Sequence, residues 1–123
     1  MFFIYFITAL HFSGHGHPQG LNFEDGRSGL QFVNVDTLKD LCIAGGSKLE
    51  FVFVSACHSK RAGEAFAEAG VPHVVCVKLD ARLLDTAANV FTRAFYIALV
   101  IGKTVRQAFQ IGKQVSIINL CNL

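Results

Sequence analysis

The sequence predicts an α/β fold built on a mostly parallel sheet. Three apolar runs, at residues 3–12, 49–56 and 74–77, have the length and composition of buried strands. Helical spacing occurs between them, and the order strand, helix, strand, helix, strand is typical of parallel strands joined by right-handed crossovers. A chain of 123 residues, 52% hydrophobic and 16% charged, is long and apolar enough for a substantial core. We therefore expect one domain over residues 1–123.

Composition also limits the partners and the location. The formal net charge is +2, and no cluster of Lys and Arg is interleaved with aromatic residues, so we expect no nucleic-acid partner. Cys42, Cys57, Cys76 and Cys121 include no close CxxC pair, which favours reduced thiols in a cytoplasmic protein. Residues 1–10 are hydrophobic, but they lack a basic leader and a cleavage site and are shorter than the ~20 residues that span a bilayer. We expect no membrane segment.

The first apolar run ends at a cluster of histidine and glycine residues. Its continuous apolar and aromatic composition predicts a central strand covered on both faces. His15 follows the run and is flanked by Gly14 and Gly16, which allow the backbone to turn sharply and to approach other groups closely. We expect His15 on a loop at the carboxyl end of the strand, where open α/β sheets bind ligands.

A hairpin and a helix are predicted between the first two strands. Residues 21–23 and 30–33 alternate apolar with polar side chains around a turn sequence, which predicts a hairpin beside the site. Asp36 is the expected N-cap of a helix over residues 37–44, which ends before two glycines. The second strand follows this helix and ends at Cys57.

Helices dominate the second half of the chain. A helix over residues 60–69 is predicted to end at Gly70, before the third strand. A longer helix then continues to about residue 101, because its apolar side chains follow helical spacing. Thr104 and Gln107 have the spacing of a capping box, which predicts the start of a last helix.

His15 and Cys57 are the candidate catalytic pair. A cysteine attacks as its thiolate, and a nearby histidine can take the thiol proton. The two residues are 42 positions apart (57 minus 15), but each follows a strand of the predicted sheet, and neighbouring strands lie about 4.8 Å apart. The backbone N–H groups of Gly16 and Cys57 are candidates for an oxyanion hole, because a glycine has no side chain to obstruct a substrate carbonyl. The pattern predicts acyl-transfer chemistry.

Several segments of the chain carry a family resemblance. Residues 11–16 (HFSGHG) and 53–59 (FVSACHS) contain the candidate pair, and further matches follow at residues 63–66, 69–75 and 102–108. In this order they resemble the CHAT domain, a caspase-like cysteine peptidase family related to caspases, gingipains and separases. Members of this family are often fused to tetratricopeptide repeats.

The resemblance implies both a fold and a reaction. The fold would be a three-layer α/β/α sandwich, and the reaction would be hydrolysis of a peptide bond through a thioester. His15 would be the general acid/base, Cys57 the nucleophile, and Gly16 and Cys57 the oxyanion donors. No cofactor and no metal would be needed. The partners would be a protein or peptide substrate and a tetratricopeptide-repeat region of the full-length protein.

The resemblance also suggests substrate-binding residues. In separase-like members, acidic side chains after the next strand receive a basic residue, and Asp80 and Asp85 occupy that region here. A solvated loop charge and a helix cap explain the same two residues without a substrate. His58, beside the candidate nucleophile, is a third candidate for substrate binding.

A caspase-like sheet normally has a strand and a helix before the histidine strand. Only 14 residues precede His15, so we expect the chain to be an N-terminally truncated fragment whose first strand and helix are missing. An exposed sheet edge and an incomplete substrate pocket would follow, which puts the activity of this chain in question.

Three other interpretations stay open. One is a zinc site, since imidazoles bind zinc, and its candidate ligands are His11, His15, His17 and His58. Against it, no acidic ligand has a recognisable spacing, and His11 suits a core position better. A nucleotide-binding module fits the element order, but residues 13–16 form neither GxGxxG nor a P-loop. The strongest alternative is a catalytically inactive caspase-like module that keeps the fold and binds partners such as tetratricopeptide-repeat regions.

Overall fold

A computed structural model of the chain describes residues 8–44, 49–78 and 84–121. These residues belong to two compact units, Met1–Lys78 and Leu79–Leu123. The elements in chain order are β1 Ala9–Ser13, β2 Gly16–His17, β3 Gly20–Glu24, β4 Leu30–Asn34, α1 Val35–Ala44, β5 Phe51–Ala56, α2 Ser59–Glu68, β6 His73–Lys78, α3 Leu84–Val100 and α4 Val105–Cys121.

A parallel sheet forms the centre of the first unit. Its strand order is β1-β5-β6, and both neighbouring pairs are parallel. The sheet confirms the α/β fold class that the sequence predicts. Strand β5 lies between the other two, and its residues Val52, Phe53 and Val54 are fully buried. Their complete burial shows that the central strand of the sheet is β5 and not β1.

The prediction that the first apolar run is a central strand covered on both faces is wrong. In the described part of the chain, β1 pairs with β5 alone, and Leu10 is 37% exposed. The error has a simple cause, because a continuous apolar run does not reveal whether its strand has one neighbour or two. The start of the predicted strand, residues 3–7, lies outside the described residues.

Helices α1 and α2 provide the core on one face of this sheet. Helix α2 packs on β5 and β6, and α1 packs on α2. Alternate residues of β5 point to this face, where Val52 and Val54 contact a buried cluster that includes Leu38, Ala62 and Phe66. Burying a phenylalanine such as Phe66 contributes about 1.5–3 kcal/mol, so the α2 contact is a main stabilising term of this unit.

The predicted hairpin is confirmed, and the sequence missed one strand beside it. Strands β3 and β4 pair antiparallel, and the Asp25 carboxylate accepts hydrogen bonds from the N–H groups of Arg27 and Gly29 in their turn. Strand β2 adds a third, antiparallel strand through Gly16 and His17. Two residues are too few to show alternation, so nothing in the apolar pattern predicts β2.

Helix α1 begins at a different cap from the one predicted. The Asn34 side-chain oxygen accepts a hydrogen bond from the N–H of Thr37 at 2.8 Å, three residues on, which is the geometry of an N-cap. Asp36 therefore lies inside the first turn and is not the cap. Both residue types favour helix starts, so composition alone does not choose between them.

Helix α2 ends as predicted and sets the start of β6. Gly70 has a φ of +99°, and its N–H bonds the carbonyl of Ala67. The N–H of Val71 then bonds the carbonyl of Phe66, which completes a Schellman motif. The left-handed conformation favours glycine, and it turns the chain back so that β6 can pair with β5.

The second unit consists of α3 packed on α4. The predicted capping box is confirmed, because Thr104 and Gln107 exchange hydrogen bonds of 3.1 Å between side chain and backbone. Phe91 packs edge-on against Phe109 across the two helices. Helix α4 continues to Cys121, through an apolar tail for which no element is predicted. Within the described ranges, no helix is long and apolar enough to cross a membrane.

Replacing the observed and the predicted cap of α1 distinguishes their roles. We expect Asn34→Ala to lower the free energy of unfolding by about 1 kcal/mol, because one helix N–H loses its acceptor. Asp36→Ala should remove only a charge–dipole interaction of about 0.3–1 kcal/mol, which 1 M salt screens. Urea unfolding at low and high salt measures both. The assignment would be contradicted if Asp36→Ala lowered the free energy of unfolding more than Asn34→Ala did, and if this loss persisted in 1 M salt.

Candidate active site at the carboxyl edge of the parallel sheet

The pairing of β1 with β5 brings the loops that carry the two candidate catalytic residues to the same edge of the sheet. Ala9 lies opposite Phe51 and Ser13 opposite Ser55, an offset of 42 positions throughout (51 minus 9; 55 minus 13). His15 and Cys57 have the same offset, so they follow their strands in register. The N–H of Gly14 donates to the carbonyl of Ser55 at 3.1 Å, which continues the ladder beyond β1.

Gly16 holds the histidine loop directly against the cysteine loop. A Cβ atom at this position would overlap the carbonyl oxygen of Cys57 and would lie 2.9 Å from its carbonyl carbon. It would also lie 3.1 Å from the Cβ of Ala56. Only glycine fits such a close approach. Both neighbours of His15 therefore contact the segment that ends at Cys57.

The β2–β3 hairpin fixes the backbone of the histidine loop. The carbonyl of His15 accepts a hydrogen bond from the N–H of Asn22 at 3.0 Å. His15 and Asn22 therefore form a hydrogen-bonded pair. Because the two kinds of pair alternate along an antiparallel ladder, the next pair, Gly16 with Leu21, is a non-hydrogen-bonded one. The N–H of Gly16 consequently points away from β3, and the hairpin does not use the donor that an oxyanion hole would need.

The side chains of His15 and Cys57 are both exposed at this edge. Cys57 also lies two residues before the first residue of α2. The N-terminus of a helix carries partial positive charge, which stabilises a thiolate or a developing oxyanion nearby. The arrangement can therefore support nucleophilic attack by Cys57 with proton transfer to His15.

The turn from Cys57 into α2 carries two local costs. His58 has a φ of 57°, in the left-handed region, which costs a residue with a side chain on the order of 1 kcal/mol. The hydroxyl of Ser59 is buried and makes no hydrogen bond within the described structure. Such costs concentrate at functional sites, and here they accompany a sharp turn from strand to helix.

An open cleft of about 320 Å³ lies beside this turn. The hairpin turn, the start of α2 and the end of β6 all contribute to it, and its lining residues are Pro18, His58, Lys60, Arg61, Glu64 and Lys78. The structure therefore places His58 at the lining of a cleft, and its predicted contact with substrate stays a prediction. Sequence reasoning missed the basic residues. The rule that pairs His15 with Cys57 could have found Lys78, since it ends a third parallel strand.

The other two substrate-binding candidates are not placed by the structure. Asp80 lies outside the described residues. Asp85 falls within α3, but its side chain is outside the described part of the molecule. Their predicted contact with substrate stays a prediction.

Two further cysteines have the surroundings of structural thiols. Burial raises the pKa of the Cys42 thiol, and burial together with the nearby Glu64 carboxylate raises the pKa of the Cys76 thiol. The sulfur of Cys76 also packs directly against Gly63 of α2. A raised pKa leaves less thiolate at neutral pH, so both residues are poorer nucleophiles than an ordinary thiol.

Two further histidines have structural contacts. His11 stacks on Phe53 with ring centroids 4.8 Å apart, and partial burial lowers the pKa of its imidazole. The residue as a whole is exposed, so the core position expected for it is wrong. His17 accepts a hydrogen bond from the N–H of Gln19 through Nδ1 and packs edge-on against Phe32. Among the described side chains, no three His, Cys, Asp or Glu residues are arranged to hold a metal ion.

The close approach of Gly16 predicts the effect of adding one methyl group. Gly16→Ala should push the histidine loop away from Cys57, lower stability by about 1–3 kcal/mol and slow alkylation of Cys57. Gly14→Ala is the matched control, because its Cβ would meet only the Phe12 ring, at 3.2 Å, and a side chain can move. Urea unfolding and the alkylation rate measure the two effects. Equal behaviour of the two variants would show that the contact has been misassigned.

The comparison with known proteins agrees with this geometry. The family model of the CHAT domain matches residues 5–121, which is nearly the whole chain. No curated protein and no solved structure matches the chain. The matched range contains the parallel sheet, the histidine loop and the cysteine loop. The chain belongs to the CHAT domain family, a caspase-like family related to peptidases.

Proposed function

We propose that the chain is a cysteine peptidase domain in which Cys57 is the nucleophile and His15 the general acid/base. One observation carries the proposal: the β1–β5 register ends with Ser13 opposite Ser55, two residues before His15 and Cys57, and Gly16 packs on the carbonyl of Cys57. Exposure of both side chains leaves them accessible to a peptide.

The reaction begins with acylation of the cysteine. His15 takes the thiol proton of Cys57, and the sulfur attacks the carbonyl carbon of the scissile peptide bond. The negative charge that forms on the carbonyl oxygen is received by the N–H groups of Gly16 and Cys57 and by the N-terminal end of α2. As the tetrahedral species collapses, the C–N bond breaks, and His15 returns the proton to the leaving amine.

Hydrolysis of the thioester completes the cycle. A water molecule gives one proton to His15 and attacks the thioester carbonyl through its oxygen. The second tetrahedral species collapses with cleavage of the C–S bond, and the proton on His15 passes to the sulfur of Cys57. The products are a carboxylic acid and an amine, and the enzyme regains its starting thiol.

The competing proposal is a catalytically inactive module that binds partners, such as tetratricopeptide-repeat regions. It needs the same fold but no special reactivity at Cys57. Measuring the reactivity of that thiol therefore separates the two proposals without knowledge of the natural substrate.

Alkylation by iodoacetamide, mapped by peptide mass spectrometry, provides this test. We expect Cys57 to be labelled fastest near neutral pH, and Cys42 and Cys76 to approach its rate only at alkaline pH, since the pKa values of both are raised. His15→Ala should slow labelling of Cys57 by about tenfold or more, because the thiol loses its base. His17→Ala is the matched control and should leave the rate unchanged. Equal labelling of Cys57, Cys42 and Cys76 would contradict the enzyme proposal and favour the inactive module.

A further inference from the structure

The cleft beside Cys57 is assembled from the same sheet edge as the candidate catalytic residues. Pro18 belongs to the turn that follows the histidine loop, and His58 directly follows Cys57. Lys78 is the last residue of β6, the parallel neighbour of β5. The cleft therefore opens at the sheet edge that carries Cys57, and one of its lining residues, His58, is the next residue in the chain.

The charge of this cleft is positive. Three of its lining residues are cationic, Lys60, Arg61 and Lys78, and Glu64 is its one carboxylate. Lys60 approaches Glu64 at 3.9 Å as an exposed i,i+4 pair, and such pairs contribute little to stability but do compensate each other's charge. Within the described residues, Arg61 and Lys78 form no salt bridge, so two positive charges remain for a ligand.

Geometry and position add to this charge. Lys60 and Arg61 lie in the first turn of α2, whose N-terminal end is itself partially positive. A guanidinium binds a carboxylate with two parallel hydrogen bonds, which gives Arg61 a chemical preference for this group. The cleft volume of about 320 Å³ lies at the small end of ligand sites, which suits one side chain and its adjoining backbone.

From these observations we propose that the cleft receives an acidic side chain, Asp or Glu, of the peptide substrate, at the residue whose carbonyl Cys57 attacks. The inference rests on the proposed peptidase function. It gives the substrate side chain a negative charge, whereas Asp80 and Asp85 would suit a basic substrate residue. The side chains of these two aspartates lie outside the described part of the chain. Arg61 and Lys78 are the specificity-determining residues.

A matched series of reactive peptides tests the assignment. The probes are peptidyl acyloxymethyl ketones that differ only in the residue next to the reactive group: Glu, Gln or Lys. We expect the Glu probe to modify Cys57 about tenfold or more faster than the Gln probe, and the Lys probe to be slowest, because only the carboxylate pairs with the cleft. Raising the salt concentration to about 0.5 M should reduce the preference, since the cleft is open to solvent.

Variants locate the preference in the cleft. Arg61→Gln and Lys78→Gln should each reduce the ratio of Glu to Gln probe rates, and the double change Arg61→Glu with Lys78→Glu should favour the Lys probe. Arg27→Gln is the control, because it removes the same charge from the exposed β3–β4 turn. It should leave the ratio of Glu to Gln probe rates unchanged. Circular dichroism checks that each variant is folded. If a variant does not fold, the ratio of Glu to Gln probe rates in the wild-type chain still tests the preference.

The outcomes separate this inference from the proposed function. Selective iodoacetamide labelling of Cys57 with equal rates for the Glu and Gln probes overturns the acidic subsite and leaves the peptidase proposal intact. A preference for the Lys probe in the wild-type chain also overturns it. Absence of selective iodoacetamide labelling overturns both. A Glu preference that Arg61→Gln or Lys78→Gln reduces, and Arg27→Gln does not, supports the assignment.

Discussion

The site depends on one structural constraint, the parallel pairing of β1 with β5 in a single register. A parallel ladder fixes the offset between two strands along their whole length, so residues that follow the strands inherit that offset. Here the offset of 42 positions applies from Ala9 and Phe51 to Ser13 and Ser55, two residues before His15 and Cys57. A slip of one residue would turn each β1 side chain to the opposite face and separate the pair.

The constraint is maintained by packing on one side and by backbone contacts on the other. Strand β5 is buried between its neighbours, and α2 covers one of its faces, so its position is determined by the core. At its carboxyl end the chain turns at once into α2 through His58, in a left-handed conformation. Gly16 then closes the contact, because its missing side chain lets the two loops touch. The rigid core thus positions an exposed and locally strained edge, as expected for a reactive site.

The sequence was sufficient for the three parallel strands and the helices between them, because these follow from where apolar runs begin and end. The pairing of His15 with Cys57 as a catalytic dyad stays a prediction. The sequence was insufficient wherever the answer depends on neighbours in space. An apolar run does not reveal that β1 has one strand beside it among the described residues, and two polar residues near a helix start do not reveal that Asn34 is the cap. The basic cleft draws on three separate elements, so Lys78 becomes informative only once β6 is known to pair with β5. The roles of Asp80 and Asp85 stay predictions.

The register itself can be measured by a cross-link. The background carries Cys42→Ala, Cys76→Ala and Cys121→Ala, so that Cys57 is its only cysteine. In this background, His15→Cys places a second thiol on the loop that follows β1. Parallel neighbours lie about 4.8 Å apart, which is within the 4.4–6.8 Å between Cα atoms that a disulfide requires. Arg27→Cys in the same background is the control. Mild oxidation followed by peptide mass spectrometry should give an intramolecular disulfide between positions 15 and 57 and little or none between positions 27 and 57. Failure to form the first, or equal formation of both, would contradict the register on which the site rests.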